Sequence, residues 1–102
     1  MAYRFEYRSS FWQDYSAALA YIAGSLKNPI AAKELDEAFE REKQALLSFP
    51  TAGKPFASPP DVDADYFALR VKNDLAFYVV VGDVVEFRRF LYSRANLHDK
   101  LH

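Results

Sequence analysis

Several side chains in the last third of the chain could bind an anion or move a proton. Arg89 lies within an apolar run, and Arg94 follows the end of that run. Arg70 and Lys72 alternate with apolar residues in an earlier run, and Tyr92 lies between the two later arginines. Arginine presents a planar fork that suits phosphate or carboxylate, and a tyrosine hydroxyl can donate a proton. The spacing therefore predicts a basic strip that binds an anionic ligand or partner.

A purely structural explanation competes with this interpretation at every one of these positions. Arg89 near a strand end can extend its charge to solvent or pair with one acid of the core, and the pattern favours this explanation. Arg94 can be a solvated loop residue, whereas Arg70 and Lys72 can lie on a solvated sheet face. For Tyr92, the amphipathic ring favours packing.

Other common kinds of site lack their residues in this sequence. There is no cysteine, which excludes disulfides and thiolate sites, and three scattered glycines cannot form a phosphate loop. The two histidines, His98 and His102, lie among the last five residues, where a triad or zinc site is not expected. Asp61, Asp63 and Asp65 alternate, but the central glycine and distal glutamate of a calcium loop are missing. We therefore expect neither a metal nor a cofactor.

Composition is typical of one globular domain, which we expect to span residues 1–102. The chain is 51% hydrophobic and 26% charged. Its 13 basic and 14 acidic residues give a net charge of −1, which does not favour binding to nucleic acid through overall charge. Charges at alternate N-terminal positions exclude a signal peptide, and no apolar run approaches the roughly 20 residues of a membrane span. We expect a cytoplasmic protein.

Hydrophobic periodicity predicts one strand and two helices in the first half. Residues 3–8 alternate between aromatic and charged side chains, as in a strand. Ser9 or Ser10 can cap the first helix, and Asn28-Pro29 suits the start of the second. The apolar stripe of the first helix consists of Phe11, Tyr15, Leu19, Ile22 and Leu26. The inner face of the second consists of Ala31, Leu35, Ala38, Phe39, Ala45 and Leu46.

The second half predicts a loop and then three strands. Prolines and a glycine between residues 49 and 65 argue against any regular element there. The predicted strands are Tyr66–Lys72, Leu75–Val81 and Val84–Leu91, with turns at Asn73-Asp74 and Gly82-Asp83. This order predicts a two-layer α+β fold, β-α-α-β-β-β, in which a helical hairpin packs on a mainly antiparallel four-stranded sheet.

Strict alternation along the last predicted strand assigns its side chains to two faces. The first face has an arginine among apolar neighbours and consists of Val85, Phe87, Arg89 and Leu91. The other face consists of Val84, Glu86, Arg88 and Phe90. Glu86 and Arg88 are then expected to form a weak surface pair.

The order of elements and several short segments resemble the RelE/ParE superfamily of bacterial toxins, over nearly the whole chain. These segments are Tyr21-Ile22-Ala23, Asn28-Pro29 with Ala31-Ala32, Leu47–Lys54, Leu69–Asn73, Phe77-Tyr78 and Arg89–Asn96. The resemblance implies the toxin of a type II toxin–antitoxin system, with growth inhibition and plasmid stabilisation as its effects. It also implies a cognate antitoxin as partner, in a hetero-oligomer.

Members of this superfamily have two kinds of activity. RelE-like members cleave mRNA on the ribosome, whereas ParE-like members inhibit DNA gyrase. The basic positions of the RelE-like site fall on Tyr66, Ala68 and Leu75, and only Arg94 is retained. The C-terminal acid position falls near Lys100, with His98 as the nearest titratable substitute. The resemblance therefore implies an incomplete set of cleaving groups.

Residues 89–96 are similar to the ParE signature, except that Asn96 replaces the usual aspartate. The resemblance implies a toxin that binds its target, such as DNA gyrase. The implied contact residues are Arg70, Lys72, Arg89, Tyr92, Arg94 and Asn96. The alternative is a ribosome-dependent mRNA endoribonuclease, with catalytic candidates Arg70, Tyr92, Arg94 and His98. A second alternative is a non-toxic, degenerate member that only binds an antitoxin.

Overall fold

A computed structural model describes residues 3–56 and 65–93. Its helices are α1 (Ser9–Ala20) and α2 (Pro29–Lys43), followed respectively by a π-helical turn (Tyr21–Ser25) and a 3₁₀ turn (Gln44–Leu47). Its strands are β1 (Arg4–Tyr7), β2 (Lys54–Phe56), β3 (Tyr66–Val71), β4 (Asp74–Val81) and β5 (Val84–Leu91). Within these residues, no helix is long and apolar enough to cross a membrane.

The strands form one mixed sheet in the order β1-β5-β4-β3-β2. Strand β1 is parallel to β5, and the other neighbouring strands are antiparallel. The α+β prediction with two helices on one sheet is confirmed. The sheet has five strands rather than the predicted four, because residues 54–56 pair with β3.

Strand β2 forms despite Pro55, which the prediction treated as a barrier to regular structure. Proline is tolerated in an edge strand because its missing N–H leaves no partner strand unsatisfied. Gly53 leads into this strand, and its N–H donates to the Tyr78 hydroxyl at 2.9 Å. A side chain at Gly53 would collide with that hydroxyl. The approach of Gly53 to Tyr78 therefore anchors the start of the edge strand.

The first helix follows its predicted stripe only as far as the π-helical turn. Phe11, Tyr15 and Ile22 are buried, but Leu26 is 39% exposed. The N–H of Leu26 donates to the carbonyl of Tyr21, five residues earlier, and this wider turn shifts the stripe away from the core. The predicted serine cap is also wrong, because the helix begins at Ser9 and the extended Arg8 precedes it without a side-chain cap.

The second helix starts as predicted. The Asn28 side chain accepts a hydrogen bond from the N–H of Ala31 at 3.0 Å, and Pro29 is the first helical residue. Most of the predicted inner face is buried, but Ala45 is exposed. Lys43, which the prediction left out, is instead buried near the C-terminus of the helix.

Lys43 introduces a positive charge into this core. Its Nζ donates to the Tyr7 hydroxyl at 2.6 Å and to Glu40 at 2.7 Å. It also lies 5.0 Å from the ring centroids of Phe5 and Phe39. Burial acts to lower the pKa of Lys43, but the hydrogen bonds and charge of its partners outweigh burial, so the pKa is raised overall. The charge is therefore retained inside the fold.

Aromatic rings fill the layer between the helices and the sheet. The ring centroids of Phe11, Phe39 and Phe87 lie 5.1–5.6 Å from one another, which ties both helices to β5. We call the sheet face that carries Phe87 the inner face, and the opposite face the outer face.

Candidate functional site

A β-bulge in β5 determines where the two adjacent arginines lie. Phe77 of β4 is opposite Arg89, whereas the next residue, Tyr78, is opposite Phe87. Arg88 is therefore an extra residue without an opposite partner. The bulge lets both Phe87 and Phe90 reach the core, where they are 0% and 5% exposed.

The predicted face for Arg89 is consequently wrong. Strict alternation placed it beside Val85 and Phe87. The extra residue shifts the alternation by one, so Phe90 points inward and Arg89 lies on the outer face. Its side chain is 64% exposed. The strand therefore presents this guanidinium to solvent and keeps an uninterrupted apolar inner face.

Asp14 of α1 holds Arg89 through both carboxylate oxygens. The Arg89 Nε donates to Oδ2 at 2.7 Å, and an outer guanidinium nitrogen donates to Oδ1 at 3.0 Å. The backbone N–H of Phe90 also donates to Oδ2, at 3.0 Å. Burial acts to raise the pKa of Asp14, but these hydrogen bonds and the arginine charge outweigh it and lower the pKa. Asp14 is therefore charged at neutral pH.

Helix α1 closes the part of the β5 edge that β1 leaves uncovered. Strand β1 pairs with β5 only as far as Phe87. Beyond that residue, the Ser10 hydroxyl donates to the carbonyl of Arg88 at 2.7 Å, and Asp14 accepts from Phe90. Ser10 and Asp14 are four residues apart and share one helix face. Side chains of α1 thus replace the missing strand.

Arg88 is held more tightly than its neighbour. Its Nε donates to Glu86 at 2.7 Å, and its guanidinium lies 5.8 Å from the Tyr66 ring centroid. Arg8 also approaches Glu86, at 3.2 Å. Burial acts to raise the pKa of Glu86, but the bonds from both arginines lower it. The expected Glu86–Arg88 pair forms, and its side chains are only 17% and 20% exposed, so Arg88 belongs to the packing of the outer face.

Arg70 shares the outer face with Arg89. In the register of β3, β4 and β5, Arg70 is opposite Leu75, and Leu75 is opposite Leu91. Leu75, Leu91 and Phe77 are half-buried, whereas Arg70 is exposed. We call these four residues and Arg89 the outer patch. It consists of apolar side chains between two arginines whose strands are about 10 Å apart.

Tyr92 and Lys72 line a groove of about 320 Å³ at one end of the fold, next to the outer patch. Tyr92 packs edge-to-face on Tyr21, with ring centroids 5.8 Å apart, which agrees with its predicted packing role. Lys72 lies in the β3–β4 turn with a positive φ of 57°. The Lys72 side of the groove adjoins Arg70, because the Lys72 carbonyl accepts from the Arg70 Nε at 3.1 Å.

Asp74 fixes the end of β5 at this groove. It is the first residue of β4 and 5% exposed, so the turn lies at Lys72-Asn73 rather than at the predicted Asn73-Asp74. Its Oδ1 accepts from the Ser93 N–H at 3.1 Å and from the Ser93 hydroxyl at 3.2 Å. Burial raises the pKa of Asp74, although both bonds and the Lys72 charge oppose the shift.

Comparison with known proteins decides the family. The sequence model of the family described as "ParE toxin of type II toxin-antitoxin system, parDE" matches residues 5–97. The chain belongs to the ParE toxin family. No curated protein matches the sequence significantly.

Solved structures share the fold of this ParE-family chain. The chromosomal ParDE TA system from P. aeruginosa superposes with a TM-score of 0.65 at 15% identity, covering 87% of this chain and 94% of that one. The E. coli DinJ-YafQ toxin-antitoxin complex superposes with a TM-score of 0.52 at 16% identity, covering 93% and 97%. YafQ from E. coli strain BL21(DE3) gives 0.50 at 16% identity, covering 90% and 94%.

In this ParE-family chain, the predicted site residues fall into three groups. Arg70 and Arg89 share the outer patch, and Lys72 and Tyr92 share the end groove. Arg94, Asn96 and His98 lie outside the described residues, as do Asp61, Asp63 and Lys100. In the part of the chain that the structure describes, no group of His, Asp or Glu could hold a metal ion.

Asp14 is the functional candidate that the sequence did not reveal. Its partner Arg89 is 75 positions away, so no local spacing links the two. A weak signal exists in α1, where Ser10 and Asp14 recur one turn apart next to the apolar stripe. That pattern marks a polar helix edge, but it does not identify what the edge contacts.

Proposed function

We propose that this ParE-family toxin inhibits DNA gyrase by binding to it, and that the outer patch supplies part of the contact. The observation that carries the proposal is Arg89, whose side chain is 64% exposed although Asp14 holds its Nε and one outer nitrogen. Arginines that are ordered before binding and surrounded by apolar side chains are common energetic centres of protein interfaces. Lys72, Tyr92, Arg94 and Asn96 remain proposed contacts of the same target.

The arrangement of the described residues favours binding over RNA cleavage. Cleavage needs groups that activate the nucleophile, stabilise the phosphate charge and protonate the leaving oxygen. Arg70 is exposed on the outer face, whereas Tyr92 packs on Tyr21 at the end of α1. Tyr92 packs against the core on the inner side, so these two catalytic candidates lie on opposite faces of the sheet. Ribosome-dependent mRNA cleavage is the alternative that the primer-extension experiment below would reveal.

We further propose that a cognate antitoxin neutralises the toxin in a hetero-oligomer, in the cytoplasm where gyrase acts. Exposed large apolar side chains support a protein partner, because such groups gain from being covered. These residues include Trp12 (47% exposed), Ile30 (72%), Phe49 (70%), Phe56 (51%) and Val81 (53%).

The test combines a gyrase supercoiling assay with primer extension on a message after controlled expression. Truncating a central interface arginine typically weakens binding by about thirtyfold, so Arg89→Ala should raise the inhibitory concentration by roughly that factor. Arg4→Ala is the matched control, because Arg4 is also an exposed arginine, at 60%, that pairs with an acid on the sheet.

Each result of this experiment has a distinct meaning. Blocked supercoiling with intact transcripts supports the proposal if inhibition is weakened in Arg89→Ala but unchanged in Arg4→Ala. Transcripts cut at codon positions would assign the chain to the mRNA-cleaving alternative. Normal supercoiling, intact transcripts and normal growth would identify a non-toxic member that only binds its antitoxin.

A further inference from the structure

The Asp14 carboxylate connects helix α1 to both the backbone and a side chain of β5. Its Oδ2 accepts from both the Arg89 side chain and the Phe90 backbone, and its Oδ1 accepts the second arm of the arginine. The aspartate belongs to α1, and Phe11 of the same helix is fully buried in the core. The position of the guanidinium is therefore fixed relative to the helix, the β5 backbone and the core.

Other exposed arginines of the sheet lack this support. Arg4 pairs with Glu6 two positions along its own strand, and that glutamate is itself 50% exposed. Arg70 donates through Nε to the carbonyl of Lys72, in its own turn. Asp14 is only 20% exposed and comes from a different element. An arginine held in this way has less side-chain entropy to lose when it binds a partner.

We infer that Asp14 is a positioning residue, which orders Arg89 so that the open edge of its guanidinium meets an anionic group on the target. This inference rests on the function proposed above. Two N–H donors of the fork face Asp14, and the 64% exposure of the side chain shows that much of the group remains open to solvent. Arginine has five such donors, so a carboxylate of the partner can still bind.

A double-mutant cycle with Asp14→Asn and Arg89→Ala tests this role. Asparagine keeps an oxygen that can accept from the Phe90 N–H but loses the charge and one acceptor for the arginine. Freeing one long side chain typically weakens binding by about tenfold, so Asp14→Asn should raise the Kd for gyrase by about that factor. In the Arg89→Ala background the same change should alter the Kd by less than about twofold.

Glu86→Gln is the control, because it removes another carboxylate–arginine pair from the same strand without touching Arg89. NMR of the arginine Nε–H groups provides a second measurement that needs no gyrase. The Arg89 Nε–H signal should be slow to exchange in the parent and in Glu86→Gln. It should exchange fast in Asp14→Asn, whereas an aspartate that only tethers the Phe90 N–H would leave this signal unchanged.

Failure of the inference and failure of the proposed function give different results. Equal weakening by Asp14→Asn in both backgrounds overturns the inference, since Asp14 would act without Arg89. Full binding by Asp14→Asn, with binding weakened in Arg89→Ala, also overturns it but leaves gyrase as the target. Full binding by Arg89→Ala overturns both. If the parent does not bind gyrase, the proposed function fails, and an unchanged Nε–H signal in Asp14→Asn would then overturn the inference independently.

Discussion

Two aspartates tether the C-terminal end of β5, and they do so in contrasting environments. Asp14 of α1 accepts the Phe90 N–H next to the outer patch, whereas Asp74 of β4 accepts the Ser93 N–H beside the end groove. Asp14 also has an arginine as partner, but Asp74 has a serine hydroxyl. The pKa of Asp14 is lowered and the pKa of Asp74 is raised. The difference arises chiefly because no cation comparable to Arg89 offsets the burial of Asp74. The same backbone tether is thus combined with pKa shifts of opposite direction at the two carboxylates.

The largest effect should come from removing both tethers. Each alanine substitution leaves a half-buried backbone N–H without its acceptor, at a typical cost of about 1–3 kcal/mol. Phe90 still pairs with Ala76 of β4 when Asp14 is lost, so each tether should act independently of the other. We therefore expect the double variant Asp14→Ala, Asp74→Ala to lose about the sum of the single losses, within roughly 0.5 kcal/mol. Urea unfolding measures this sum. The control is Glu34→Ala with Glu37→Ala, on the exposed face of α2. If the tether double variant loses clearly less than the sum of the two single losses, the two tethers act as one unit.

Neutralising Asp14 should cost less and depend on pH in one direction. At neutral pH, Asp14→Asn should lose about 1 kcal/mol, the amount typical of a partly exposed charge-assisted bond. The folded pKa is lowered, so the contribution of the charge is present above the ordinary value of 3.8 and is lost as pH falls through the folded pKa. Melting curves of parent and variant from pH 7 down to pH 2 should therefore converge. Curves that stay parallel would contradict a role for the carboxylate charge.

Neutralising Asp74 should show the opposite pH dependence. Its folded pKa is raised, so the stabilising difference exists below the ordinary value of 3.8 and is lost as pH rises through the folded pKa. Relative to the parent, Asp74→Asn should therefore be more favourable at pH 7 than at pH 3, by less than about 1 kcal/mol. Melting temperatures of both proteins across this range measure the change. The same direction in Asp14→Asn and Asp74→Asn would eliminate the contrast between the two tethers.

The smallest effect is expected for Ser93→Ala. The hydroxyl bond to Asp74 is 3.2 Å long, and the stronger backbone bond remains after the substitution. The loss of stability should be about 0.5 kcal/mol. Hydrogen exchange of the Ser93 amide reports on the tether directly and should remain slow. Fast exchange in this variant would show that the hydroxyl, rather than the backbone, maintains the contact.

Local patterns predicted the elements of this fold better than its connections. The alternation of residues 3–8, the Asn28-Pro29 start and the three later strands all depend on neighbours within a few positions. Strand β2 was missed because three residues that include Pro55 have no periodicity of their own and form a strand only against β3. The bulge was missed because an extra residue becomes visible only when β5 is aligned with β4.

The candidate site depended even more on distant contacts. The sequence indicated Arg89 as either a partner-binding residue or one paired with an acid. The structure shows the pair with Asp14, and partner binding stays a proposal. The pairing acid could not be chosen among 14 acidic residues, because Asp14 is brought to β5 only by the packing of α1. Tyr92 was correctly assigned to packing because an amphipathic ring beside an apolar run is a local signal.

The extra residue in β5 has a consequence at the level of the gene. The strand reads Glu86-Phe87-Arg88-Arg89-Phe90, so loss of either arginine codon yields the same shortened protein. That protein would have a regular ladder with Phe87 and Phe90 still directed inward, and one arginine where two existed. This single arginine would have to choose between Glu86 with Tyr66 and Asp14. A one-codon duplication in the opposite direction is thus sufficient to separate a packing arginine from an exposed one without disturbing the core.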